Sequence, residues 1–174
     1  MPKRVLWIEA FLCCVVLAAA QSQTNQPWFD SPLDGQVNSV VVSGNKAYLG
    51  GTFTKIGYAC GTGAFLDTAT AKPDRTFPKM DPVQGRIYAS IPDGRGGWYV
   101  GGNFSYVGGI LRKYLVHIRP NHSVDSWNPS PNAFIQCLDL EGSRLYVGGY
   151  FTTIAGQSRG YGAAFDTSTG ALLA

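Results

Sequence analysis

Three hexapeptides of one pattern constrain this chain more than any other feature: Tyr48-Leu49-Gly50-Gly51-Thr52-Phe53, Tyr99-Val100-Gly101-Gly102-Asn103-Phe104 and Tyr146-Val147-Gly148-Gly149-Tyr150-Phe151. Their Gly-Gly pairs lie 51 and then 47 residues apart. In an extended strand side chains alternate, so Tyr48, Gly50 and Thr52 face one way and Leu49, Gly51 and Phe53 the other. A glycine on each face lets neighbouring backbone approach closely, and the aromatic residues at either end fill the wider space beyond. One such hexapeptide fits a loop equally well. Three in register describe a repeated strand.

The residues around each hexapeptide repeat as well. An apolar segment and a turn precede it: Val37 to Val42 with Ser43-Gly44-Asn45, Arg86 to Ile91 with Asp93-Gly94, and Phe134 to Leu140 with Glu141-Gly142. Each pair reads as a β-hairpin. A second glycine-bearing turn follows at Ile56-Gly57, Val107-Gly108-Gly109 and Ile154-Ala155-Gly156, and then a third apolar strand near Ala64 to Asp67, Tyr114 to Ile118 and Ala163 to Asp166. A closing element ends the unit, Asp74-Arg75-Thr76-Phe77-Pro78 and Asp125-Ser126-Trp127-Asn128-Pro129. Four strands per unit and a period near fifty predict an all-β chain of about three four-stranded antiparallel blades of the β-propeller kind. The divisions are 37–85, 86–133 and an incomplete 134–174, preceded by 21–36. That leading segment carries a copy of the closing element, Trp28-Phe29-Asp30-Ser31-Pro32. Closed propellers have four to eight blades, so the expectation is part of a larger propeller or a shortened gene product, with exposed strand edges that invite self-association.

The first residues are of another kind. Lys3-Arg4, an apolar stretch from Val5 to Ala20 interrupted by Glu9, and an abrupt polar run from Gln21 form a secretory signal peptide cut near Ala20. The stretch is short for a membrane span, which needs about twenty residues, so no span is expected after cleavage. The expected location is outside the cell or on its surface. Cleavage leaves 12 basic and 10 acidic residues, a net charge of +2, with Arg112-Lys113 the only adjacent basic pair. Scattered charge of this kind speaks against nucleic acid as a partner. It also leaves two cysteines. Export permits a disulfide, but Cys60 falls in a turn region and Cys137 in an apolar strand, where it is expected to behave as a small core residue.

The residues that could carry catalytic chemistry have structural roles in this pattern. His117 and His122 lack further His or Cys at metal-binding spacing and read as strand-end or turn residues. There is no Gly-x-Ser-x-Gly elbow; Ser143 sits in a hairpin turn. Gly61-Thr62-Gly63 begins like a dinucleotide fingerprint but continues into Ala64-Phe65-Leu66 and is a turn. Paired carboxylates hydrolyse sugars in some propellers, yet Asp67 matches Asp166, and Asp74 matches Asp125, in repeat position, as turn-stabilising residues would. Asp139 and Glu141 have no counterparts. No catalytic, metal or cofactor-binding residue is therefore assigned. Two glycosylation sequons occur, at Asn103 and Asn121, with Asn121 the more accessible expectation.

The stretch Tyr146 to Ile154, with Gly156, Arg159, Phe165-Asp166 and Thr169-Gly170, resembles the secreted bacterial β-propeller repeats known as delta-sixty repeats, kelch-like in style. Trp127-Asn128-Pro129-Ser130-Pro131-Asn132 is similar to that family's link between repeats, and the likeness spans roughly residues 28 to 174. It implies an exported or cell-surface protein acting as a scaffold or binding surface for a protein or glycan partner. The alternative it leaves open is a fragment of a carbohydrate-acting propeller enzyme. It carries over no catalytic residue.

Overall fold

The computed structural model describes residues 35–53, 61–70, 72–80 and 85–174. The expected signal segment, Trp28 to Pro32, the Ile56-Gly57 turn and Cys60 lie outside the described residues. Strands β1 (Val37–Ser43), β2 (Lys46–Gly51) and β3 (Gly63–Asp67) form one antiparallel sheet in that order. β4 (Arg86–Pro92) and β5 (Trp98–Asn103) begin a second. The small hairpin of β6 (Tyr106–Val107) and β7 (Ile110–Leu111) then leads to β8 (Leu115–Ile118), giving the order β4-β5-β8. β9 (Ile135–Glu141) and β10 (Arg144–Gly149) begin a third, which passes through the hairpin of β11 (Thr153–Ile154) and β12 (Gln157–Ser158) to β13 (Gly162–Asp166). The chain is all-β, with antiparallel sheets and no helix among the described residues. None of those residues forms a helix long and apolar enough to cross a membrane.

Each Tyr-x-Gly-Gly strand is the central strand of its sheet. Each sheet also carries an irregularity at one place, between Val37 and Ser39, between Ile87 and Ala89, and opposite Gly148 and Gly149. Among the described residues the expected fourth strand does not form. The closing element is held by one bridge per repeat, Leu66 to Pro73, Ile118 to Val124 and Phe165 to Leu172. The reason is local in the first two repeats. Asp74 Oδ1 accepts hydrogen bonds from the Thr76 N–H and hydroxyl, and Asp125 Oδ1 accepts one from the Trp127 N–H. These Asx turns bend the chain out of ladder geometry one residue after the bridge.

The sheets pack through the glycines. A Cβ on Gly101 would lie 2.7 Å from Ile135 Cγ2, and one on Gly50 would overlap Ile87 Cγ2, so each isoleucine of a following sheet seats on the bare backbone of the preceding one. Ile87 and Ile135 are fully buried. The second glycine of each pair meets the chain leading into its own hairpin: Gly51 faces the Gln36 carbonyl, Gly102 that of Arg86 and Gly149 that of Phe134. The motif phenylalanines Phe53, Phe104 and Phe151 are all buried, at 0, 2 and 0% exposure, and each contributes about 1.5–3 kcal/mol. One core joins the first sheet to the second through Tyr48, Phe65, Phe77, Trp98 and Val100; another joins the second to the third through Tyr99, Leu115, Leu145, Val147 and Phe165. Ser39 Oγ bonds Ser90 Oγ at 2.9 Å, and Asn38 Nδ2 donates to the Ile87 carbonyl, fixing β1 against β4.

Cys137 departs from expectation. It is exposed, because its register partner is Gly148 and both lie on the face of the third sheet turned away from the second.

Candidate functional site

The three sheets share one strand order and pairing register, so a site shows as a departure from that pattern. In the first and third sheets the hairpin between the first two strands is closed by two residues, Gly44-Asn45 and Gly142-Ser143. In the second sheet, Pro92 pairs with Trp98 and the loop is Asp93-Gly94-Arg95-Gly96-Gly97. Gly94 and Gly96 adopt φ of 74° and 92°, a region L side chains rarely occupy, and so allow the longer loop to curl. Asp93 Oδ1 ties the loop by accepting from the N–H groups of Arg95 (2.7 Å) and Gly97 (2.8 Å).

That curl brings the second carboxylate oxygen of Asp93 to β8, 2.9 Å from His117 Nε2. On the other side of the ring, His117 Nδ1 lies 3.3 Å from Asp125 Oδ2. A neutral imidazole has one N–H, so both contacts are hydrogen bonds only when the ring carries both protons. Tyr99, the register partner of His117, stacks on it with centroids 4.4 Å apart and planes at 22°. Arg119 Nε donates to Asp125 Oδ2 at 2.7 Å. The position of His117 is held by Phe65 in the first repeat and Ala164 in the third, as the registers with Tyr48, Tyr99 and Tyr146 establish. His117 is therefore a mid-strand, largely buried residue, not the solvated strand-end residue its spacing implied. His122 is the turn residue expected, with φ 66°, its Nδ1 2.7 Å from Thr76 Oγ1 and its ring on Phe77 of the preceding repeat.

The electrostatics follow from this pairing. Burial opposes ionisation of Asp125, but the hydrogen bonds from Arg119 and the Trp127 N–H, with the charges of Arg119 and His117, outweigh it and bring its pKa down to about 2. Burial likewise opposes, and the bonds from His117, Arg95 and Gly97 outweigh, so that Asp93 also ionises below the ordinary carboxylate value. Burial first, and then the charges of Asp93 and Asp125, push the Tyr99 phenol up to about 12.

Beside this cluster lies a cleft of about 440 Å³ between the second and third sheets, where Tyr99, His117, Asp125 and Trp127 face the turn from Thr167 to Gly170. Trp127 Nε1 donates to the Gly170 carbonyl at 3.0 Å and closes one end. The cleft offers aromatic edges, the hydroxyls of Ser126, Thr167, Ser168 and Thr169, backbone groups, and the charged side chains of Arg95 and Asp166.

The carboxylates with repeat counterparts behave as their recurrence predicts. Asp67 Oδ1 accepts from the N–H groups of Ala69 and Thr70, and Asp166 Oδ1 from those of Ser168 and Thr169. Asp139 and Glu141 lie exposed on β9. Ser143 occupies a two-residue turn, and Gly61-Thr62 leads directly into β3. Asn103 and Asn121 are both exposed; Asn103 is accessible because it ends β5. Asp93 and Asp125 approach opposite nitrogens of one ring, so their oxygens do not converge on a common point. No group of three or more His, Cys, Asp or Glu among the described residues is arranged to hold a metal ion.

Against known proteins, the chain matches no family model and no curated sequence.

Proposed function

We propose that the chain is a non-enzymatic, secreted or cell-surface β-propeller segment of the delta-sixty type, whose stacked sheets serve as a scaffold and whose cleft beside Trp127 is the binding surface for a glycan or protein partner. One observation carries the non-enzymatic reading. Asp93, His117, Asp125 and Arg119, which border this cleft and its neighbour, are bonded to one another. A general acid or base must be free to exchange a proton with substrate. What remains for a ligand is ring edge, hydroxyl, the Arg95 guanidinium and the Asp166 carboxylate, a lining suited to polar molecules. The blade reading draws on the three-fold recurrence of hairpin, central Gly-Gly strand, bulge and bridge.

A second reading, part of a carbohydrate-acting enzyme, is favoured by the presence of Asp125 at that cleft and Asp93 at its neighbour. Glycan-array binding and hydrolase assays on the same secreted preparation separate the two. Binding that weakens on Trp127→Ala without turnover supports the scaffold; hydrolysis abolished by Asp125→Asn alone overturns it. N-terminal sequencing of material recovered from the medium tests the leader, with a start near Gln21 expected.

A further inference from the structure

Packing between consecutive sheets has a direction. The face of each sheet that looks forward offers a bare glycine, and the face of the next sheet that looks back supplies the isoleucine: Gly50 receives Ile87, and Gly101 receives Ile135. Two positions complete the series. Val37 pairs with Gly51 as Ile87 pairs with Gly102 and Ile135 with Gly149, so Val37 is the equivalent knob on the first sheet. Gly148 is the equivalent position on the third, where no other sheet approaches among the described residues; the side chain of Cys137, on its own sheet, lies against it, with Sγ 2.5 Å from a Cβ placed there and the Tyr161 carbonyl at 3.9 Å.

Exposure shows which faces are covered. Tyr48 and Tyr99 are 0 and 6% exposed, whereas the equivalent Tyr146 is 37% exposed. Leu115 is buried, whereas its equivalent Gly162 is exposed. Tyr161, whose carbonyl borders Gly148, is 66% exposed. On the knob face of β1, Val40 and Val42 are 47 and 60% exposed, while the equivalent Ser90 and Val100 face of the second sheet is buried. Aromatic side chains around a socket are the usual anchors of a protein interface. Exposed valines on a strand are the apolar surface such anchors bury.

We propose that the face of the third sheet around Gly148, Tyr146 and Tyr161 receives the β1 face of a second copy of this chain, repeating between molecules the packing that joins its sheets within one. The occupant is a second copy because the two surfaces are forward and backward halves of one contact that the chain makes twice internally. The contact is heterologous, so it closes into a ring or extends into a filament.

Sedimentation of the full chain and two surface variants tests this. The native chain is expected to associate, and Val42→Glu and Tyr146→Glu, each introducing a charge at one face, weaken association about tenfold or more. Mixing the two variants restores a one-to-one dimer, because each keeps the face the other has lost. A native chain that stays monomeric, or variants that fail to recombine on mixing, overturns the proposal. Val40→Glu with Tyr161→Glu is a second pair at other exposed positions, and recombination by either properly folded pair decides the matter.

Discussion

Tyr99 and His117 lie face to face across neighbouring strands, centroids 4.4 Å apart, with a carboxylate at each nitrogen of the imidazole. In the first repeat the same two positions hold Tyr48 and Phe65, edge to face inside an aromatic core. A charged network has thus replaced an apolar contact at one place in an otherwise uniform array.

His117→Phe restores the apolar residue of the first repeat but strips Asp93 and Asp125 of a shared donor. Losing hydrogen bonds to charged, partly buried groups costs about 1–3 kcal/mol. Urea unfolding at pH 7 is expected to show that loss with an unchanged m value. A neutral or stabilising effect would mean that the network contributes nothing to the fold.

Acid should weaken the protein in a defined window. Asp125 ionises near 2 in the folded chain against an ordinary 3.8, so its contribution is complete above the unfolded value and disappears as pH falls through the folded one. Because Asp125 remains partly solvated, the contribution is about 1 kcal/mol. Asp125→Asn is expected to lower the melting temperature at pH 7 and to shrink the difference from wild type between pH 4 and pH 2.

Alkali acts on the other member of the stack. The Tyr99 phenol, raised to about 12 from 10.0, favours the folded state fully below the unfolded value, and that advantage is lost as pH rises through the folded one. Ultraviolet titration should show Tyr99 ionising well after the exposed tyrosines, and Tyr99→Phe should remove one late-titrating phenol.

The array was legible in the sequence because it is written three times. Gly50, Gly101 and Gly148 mark the central strands, and the alternation around them assigns Phe53, Phe104 and Phe151 to the buried side. Asp67 and Asp166 were readable as turn residues by recurrence alone. The site was not legible by that route, because it consists of what does not recur. Its traces were a five-residue loop at Asp93 where the other hairpins have two, and a histidine where the registers place Phe65 and Ala164. Pairing Asp93 with His117, residues 24 apart, required the curl that Gly94 and Gly96 permit. The fourth strand does not follow from the closing element among the described residues, because the turns at Asp74 and Asp125, themselves readable by recurrence, bend the chain after a single bridge. The burial expected of Cys137 failed because the bulge at Ile135 decides which face the rest of β9 presents.

That consecutive sheets are joined by an isoleucine seated on a glycine is tested most directly by a double-mutant cycle on Gly101 and Ile135. Gly101→Ala alone should destabilise by about 1–3 kcal/mol through overpacking, and Ile135→Ala alone by about 2–5 kcal/mol through the cavity it leaves. The account predicts that the double variant loses less than the sum by about 1 kcal/mol or more, because the new methyl occupies space the isoleucine has vacated. Strictly additive losses would contradict it.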